Sequence, residues 1–338
     1  MVVDAEMIRR CSKCGFILGT KPGLYEKNGV CGACINAEKA KGFDWQSRYN
    51  ELTKICEGLR RQKAQYDCVI AVSGGKDSMA IVKSLVGRFG LKPLLVTVTD
   101  EFTRTQAGAY NIKNIAERFN CNHLIWRCEP ETFKRETLKD FENELHPLKW
   151  IEEKIYTVPV MIARNFGIKA VFFGENSAFQ YGSVDTLDYL HPLSDGKVNV
   201  YFFFAFCPYS ELDNYRIAKG SGFKDLDDFN EWQRQGNVEN YTQIDSIGYI
   251  IQMWTKFVKF GYQRVSDVSC RYVRHGELAK EQALAYIRER DHVCDPAAKK
   301  DFCRTIGITE KYFDEVVARH ANRKLVYQDI NGIWRLKE

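Results

Sequence analysis

The stretch Ser73-Gly74-Gly75-Lys76-Asp77-Ser78 gathers two hydroxyls, two glycines, an ammonium and a carboxylate. Glycines allow backbone angles that side chains forbid, so successive N–H groups can converge on one point. A helix starting here, with Asp77 and Ser78 as caps, would add the positive end of its dipole, and Lys76 would add a full charge. Such a cradle suits phosphate. Two other phosphate loops can be set aside, because the sequence has neither a Walker loop nor a G-x-G-x-x-G. A second constellation is Cys11-x-x-Cys14 and Cys31-x-x-Cys34, with sixteen residues between Cys14 and Cys31. Paired C-x-x-C hairpins at this separation make a tetrahedral thiolate site for zinc. Four thiolates leave no open position, so the metal is structural and supplies folding energy to a module too small for a core of its own.

The elements around the loop follow from hydrophobic patterning. Val69 to Val72 is a short apolar run, as in a strand covered on both faces, and Met79, Ile81, Val82 and Leu85 continue a helix. Pro93 to Thr99 predicts a second strand, Gln106 to Phe119 a helix, His123 to Trp126 a third strand, and Lys169 to Phe173 a fourth, with polar helical sequence before it to about Phe166. Strands alternating with helices imply a parallel, doubly wound α/β sheet with right-handed crossovers. Ligands of such sheets gather beyond the carboxyl ends of the strands. Those ends carry Ser73, then Asp100-Glu101, then Gly174-Glu175-Asn176. A carboxylate and an amide at such a point can hold Mg²⁺ or orient a substrate, and Glu175 can handle a proton from an attacking amine. A helix cap with a solvated carboxylate is the plainer alternative.

Four segments result: a cysteine knuckle (1–43), a linker helix (44–66), a nucleotide core (67–180) and a mainly helical remainder (181–338). In the linker, Leu52, Ile55, Cys56 and Leu59 fall on one helical face. In the remainder, Asn199 to Tyr209 is dense in aromatics and reads first as buried core. Ile244 to Phe260 predicts a helix, Leu278 to Arg290 another, and Thr309 caps a third running to about His320. Arg271 and Arg274 either clamp an anion or are ordinary surface charge. Cys270, Cys294 and Cys303 form no C-x-x-C and read as ordinary thiols.

The chain has 338 residues, 45% hydrophobic and 28% charged, with a net charge of +5. This mild excess fits a small anionic substrate and does not call for nucleic acid. The amino terminus has no long apolar core, and the apolar run at Val200 to Cys207 is too short for a bilayer, so a cytoplasmic protein with no membrane partner is expected. Twelve cysteines then suggest metal ligation or reduced thiols before disulfides. A homo-oligomer is compatible with the sequence, which fixes no stoichiometry.

The order S-G-G-x-D-S resembles the PP-loop of the ATP pyrophosphatases, the adenine-nucleotide alpha-hydrolase superfamily. That resemblance implies ATP and Mg²⁺, with Ser73 to Ser78 on the phosphates, Thr99 and Asp100 near adenosine, and Asn176 beside them. Across the chain, C-S-K-C…G-V-C-G-A-C, D-W-Q-S-R (Asp44 to Arg48), the loop, and G-E-N-S-A-F-Q-Y-G (Gly174 to Gly182) together resemble the N-acetyl sugar amidotransferases of bacterial surface-polysaccharide and flagellin-glycan biosynthesis, pseudaminic acid enzymes included. The passage R-H-G-E-L-A-K-E-Q-A is similar to a further family segment, with Lys280 where arginine is expected. The family converts an N-acetyl group of a nucleotide-activated sugar to an acetamidino group. It implies catalytic roles for Lys76, Asp77 and Glu175, and ammonia as the nitrogen donor. No Cys/His pair stands in a glutaminase context, so ammonia is expected from a separate glutaminase partner. Two rival readings stand beside it: a zinc-containing PP-loop tRNA thiolase, with Cys128 as sulfur carrier, and an inactive PP-loop scaffold.

Overall fold

A computed structural model describes residues 8–174, 177–183 and 187–337. Within the cysteine knuckle are a short hairpin, β1 (Glu26–Lys27) and β2 (Val30–Cys31), and the helix α1 (Gly32–Lys41). The linker helix α2 (Trp45–Arg61) begins where Asp44 accepts a hydrogen bond from the Ser47 amide, and it buries Leu52, Cys56 and Leu59 as its apolar spacing predicts.

The central sheet has five parallel strands in the order β5-β4-β3-β6-β7. They are β3 (Cys68–Ala71), β4 (Pro93–Thr99), β5 (Asn122–Arg127), β6 (Ala170–Phe173) and β7 (Asn199–Phe202). The helices α3 (Lys76–Val82), α4 (Gln106–Arg118), α5 (Pro130–Glu144) and α6 (Lys149–Asn165) make the crossovers. Alternation along the strands splits the core into two layers. Ile70, Leu95 and Phe172 belong to the larger cluster; Val69, Leu94, Val96, Val171 and Phe173 face α6 and its Val158, Val160 and Ile162. The order reverses direction between β3 and β6, the switch point where such sheets bind ligands.

Two local expectations need correction. The cap of α3 is Gly75, not Asp77 or Ser78, because the helix begins at Lys76, two residues before an Asp77 cap would start it. Beyond Val82 the helix loosens into a π-helical turn, Lys83–Arg88, before reaching β4. The aromatic run from Asn199 is core, but only Asn199–Phe202 is strand; Phe203–Ala205 turns in a 3₁₀ helix.

After β6 come α7 (Ser177–Tyr181) and, beyond β7, α8 (Glu211–Lys219). The remainder folds as α9 (Ile251–Phe260), α10 (Arg264–His275), α11 (Lys280–Arg290), α12 (Pro296–Ile306) and α13 (Glu310–His320), then a small hairpin of β8 (Val326–Gln328) and β9 (Trp334–Leu336). Thr309 caps α13 by accepting from the Tyr312 amide. These helices do not form a separate core: Phe302 of α12 packs on Phe102 and Phe141 of the nucleotide core, at centroid distances of 5.7 and 5.2 Å. The knuckle docks on them too, since Cys11, Cys14, Cys31 and Cys34 share a cluster with Val265, Cys270 and Ile287. Cys270, expected to be an ordinary thiol, thus lies buried against the four-cysteine site. Among the described residues no helix is long and apolar enough to cross a membrane.

Candidate active site

The turn after β3 has the geometry of an anion cradle. Gly74 adopts φ +86°, and a Cβ there would stand 3.0 Å from the Ile112 amide of α4, so only glycine fits. The Ser78 hydroxyl accepts the Ser73 amide at 3.1 Å, and the Ser73 hydroxyl accepts the Gly75 amide at 3.2 Å. These bonds tie the loop into a ring whose concave side meets the first turn of α3. Asp77 lies in that turn, where a helix favours a carboxylate.

The loop opens on a cavity of about 260 Å³. Ser73, Gly75, Lys76, Asp77 and Ser78 form one wall; Asp100 and Arg104, which follow β4, form another. Gly174, Gln180 and Tyr181 contribute after β6, and Tyr209, the segment Tyr241 to Asp245, Arg264 and Arg271 complete the enclosure. Of the residues singled out in the sequence, the loop residues other than Gly74 come together here with Asp100 and Arg271. Gly74 lies behind the wall against α4, and Thr99 turns to the Trp126 carbonyl at 3.4 Å. Glu175 and Asn176 lie outside the described residues.

Lys76 was expected to offer a free charge to phosphate. It is only 4% exposed and is already paired. Its Nζ donates to Asp77 Oδ2 at 2.8 Å and lies 4.0 Å from Glu211 Oε1. Asp77 is held in turn by Asn214 Nδ2 at 2.7 Å and the Tyr209 hydroxyl at 3.4 Å. Burial works against the Lys76 charge, but Asp77 and Glu211 outweigh it and raise its pKa.

Glu211 and Arg264 are the main residues that the sequence reading missed, and they sit with Arg271, one of its two candidate anion clamps. Glu211, 1% exposed, starts α8; its Oε2 accepts from Arg271 Nη1, and its Oε1 lies 3.9 Å from Arg264 Nη2. Burial alone would push the Glu211 carboxyl up; Arg271, Lys76 and Arg264 together hold it down at about 2. At the cavity's other end stands Asp245. Burial lifts its carboxyl to about 6, opposed by Arg104 and reinforced by Asp100. Asp100 is also raised, by burial first, and accepts from the Ser246 hydroxyl at 2.8 Å. Cys128 is buried away from the cavity lining, and burial pushes its thiol up to about 11, which does not suit a sulfur carrier.

The four knuckle cysteines are buried, and their Sγ atoms all lie within 4.8 Å of one another. The pairs Cys11–Cys34 and Cys14–Cys31 stand 3.9 and 3.7 Å apart. A tetrahedron with Zn–S bonds of about 2.3 Å has edges of about 3.8 Å, so the donor set fits zinc. The Cys31 amide donates to Cys11 Sγ at 3.3 Å, the outer hydrogen bond such thiolates use.

Residues 229–338 match the family model of the C-terminal domain of WbpG-like LPS biosynthesis proteins. Over 275 residues the chain is 22% identical to an uncharacterised protein of Methanocaldococcus jannaschii, covering 81% of this chain and 91% of that protein. Among solved structures it is similar to an NMN synthetase from Francisella tularensis, at 14% identity and TM-score 0.41, covering 74% of this chain and 93% of that one. It is also similar to an NH3-dependent NAD synthetase from Campylobacter jejuni, at 12% identity and TM-score 0.38, covering 71% and 97%. The carboxy-terminal third thus resembles the C-terminal domain of WbpG-like LPS biosynthesis proteins, and the S-G-G-K-D-S loop stands ahead of it at the switch point of the parallel sheet.

Proposed function

We propose that the protein is an ATP-dependent amidotransferase that converts an N-acetyl group of a nucleotide-activated sugar to an acetamidino group, forming AMP and pyrophosphate. One observation carries the reading: a PP-loop at the switch point of a parallel sheet, enclosed by residues of a WbpG-like LPS biosynthesis domain.

An amide oxygen is a poor leaving group. Attack of that oxygen on the α-phosphate of ATP releases pyrophosphate and turns the amide into an imidate ester of AMP. Ammonia then adds at the imidate carbon, and AMP departs with the former acetyl oxygen. The loop amides, the α3 amino terminus and Lys76 receive the outer phosphates. Asp77 keeps lone pairs beyond those its partners use, so it fits as the protein ligand of Mg²⁺, which neutralises phosphate charge when bound. Positioning for in-line attack does most of the work, and no protein nucleophile is needed. Asp100 lies where adenosine would meet the sheet; Asp245, titrating near 6, can accept a proton from the incoming amine. Glu175 is the other candidate for that task. Zinc belongs to the knuckle, and ammonia comes from a separate glutaminase or from solution.

The test is incubation with ATP, Mg²⁺, ammonium and a panel of UDP- and CMP-linked N-acetyl sugars, following nucleotides and sugar mass. The expected products are AMP, pyrophosphate and an acetamidino sugar; ADP in place of AMP would rule the reading out. Lys76→Ala should lose at least about 100-fold in turnover.

A further inference from the structure

The cationic wall of the cavity holds more positive charge than its own carboxylates answer. Lys76, Arg264 and Arg271 are 4, 5 and 3% exposed, and among the described residues they face two carboxylates, Asp77 and Glu211. The next carboxylates are already engaged. Asp267 is held by Lys256 at 2.9 Å, and Glu239 accepts the Tyr241 and Thr242 amides at 2.8 Å each. Donors are left over as well: among the described residues Arg271 Nε and Nη2 and Arg264 Nε are buried with no hydrogen-bond partner, more donors than the one unpaired acceptor beside them, Glu211 Oε1, can meet. Buried guanidinium groups normally use their N–H donors, and each one left unmet costs free energy in the free protein. An oxyanion seated between the two arginines would satisfy both the charge and the donors.

This anion is not the outer end of ATP. Glu211 stands between the arginines and the loop, with Oε1 toward Lys76 and Oε2 on Arg271. A carboxylate so placed repels phosphates that would reach across from the loop. Arg271 also lies beside the rings of Tyr181 and Tyr209, 5.6 and 6.0 Å from their centroids, which fix its position and present flat apolar surface.

We infer that Arg264 and Arg271 form a second anion site in the cavity, separate from the phosphate loop, which takes a phosphate or carboxylate of the acceptor molecule. The acceptor must therefore be anionic. This rests on the amidotransferase reading for the identity of the acceptor, but the binding itself does not need turnover.

Calorimetry without ATP tests it, using N-acetylglucosamine, N-acetylglucosamine 1-phosphate, UDP-N-acetylglucosamine and N-acetylneuraminic acid. At least one anionic ligand should bind roughly tenfold or more tighter than the neutral sugar. The phosphate-bearing and carboxylate-bearing arms tell the two sources apart. Saturation with α,β-methylene-ATP should leave that affinity within about twofold, because the sites are separate. Arg264→Gln, which keeps the Arg271–Glu211 pair, should weaken the anionic ligand about tenfold and spare the ATP analogue. Should Arg271→Gln fail to fold with Glu211 left bare, Arg271→Gln with Glu211→Gln removes both charges and should show the same loss. Equal binding of the neutral sugar, competition with the ATP analogue, or an Arg264→Gln defect confined to the analogue would each overturn the inference. Failure to form AMP with any sugar would instead remove the reaction and leave the binding result standing.

Discussion

Lys76 and Glu211 lie 135 positions apart in sequence and 4.0 Å apart in space, and the balance between them sets the electrostatics of the site. Glu211 is ionised at neutral pH because three cations outweigh its desolvation. Its folded pKa lies below the ordinary value of about 4.3, so its contribution to stability is present above that value and is lost as pH falls toward 2. Asp245 runs the other way. Its folded pKa of about 6 exceeds the unfolded value of about 3.9, so its contribution is full below pH 4 and declines as pH rises through 6. Asp245→Asn should therefore stabilise the protein at pH 8 by on the order of 2 kcal/mol and change little at pH 4, as thermal melts across that range can show. If Asp245 accepts the amine proton, the same variant should also flatten the rise of kcat near pH 6. Gly74→Ala should cost about 1–2 kcal/mol and remove nucleotide binding, because its backbone angle and the Ile112 amide both reject a Cβ. Wild-type nucleotide affinity in that variant would deny the loop its role.

Among the elements, the knuckle has a task that its size conceals. The knuckle, through α1 and the residues before it, grips the segment after β6 at several points. Asn36 Nδ2 donates to the Ala178 carbonyl at 2.8 Å, and Leu24 bridges to Ser183. Gly182, at φ +74°, lies so close that a Cβ would be 2.0 Å from the Ala33 amide. Arg274 adds a bond to the Gln180 carbonyl at 3.2 Å. Since Gln180 and Tyr181 line the cavity, the knuckle positions a wall of the candidate site. Asn36→Ala should keep full zinc content yet speed amide exchange across residues 177–183 and lower activity; unchanged exchange there would detach the knuckle from the site. The sequence disclosed the elements unevenly. Apolar runs revealed the strands, and cysteine spacing revealed the four-cysteine cluster, because both are local signals. Helix α9 starts later than the apolar spacing from Ile244 suggests. Ser246 is drawn to Asp100, and the Ile247 amide to the Thr103 carbonyl, so residues 244–247 leave the helix, and Ile244 and Asp245 line the cavity instead. Glu211 and Arg264 carry no local sequence signal, and for Arg271 the sequence leaves an anion clamp and ordinary surface charge equally open. Only the packing of α8 against α3 and of α10 across the cavity gives them a common target.

At the scale of the molecule, the WbpG-like region and the nucleotide core share one hydrophobic interior. Phe302 and Phe313 of the former pack with Phe141 and Phe102 of the latter. Phe302→Ala should cost about 3–5 kcal/mol and lower a single melting transition. Two resolved transitions would mean that the halves fold apart. A shared core also explains why the cavity can draw its loop from one region and its arginines from the other. The central claim is that ATP activates an acetamido oxygen by transfer of AMP. It is tested most directly with a nucleotide-linked sugar whose acetyl oxygen is ¹⁸O, incubated with ATP, Mg²⁺, ammonium and the protein. The account predicts one ¹⁸O in the phosphate of AMP for each acetamidino sugar formed, with none in pyrophosphate. AMP free of label, or ¹⁸O in orthophosphate beside ADP, would contradict it.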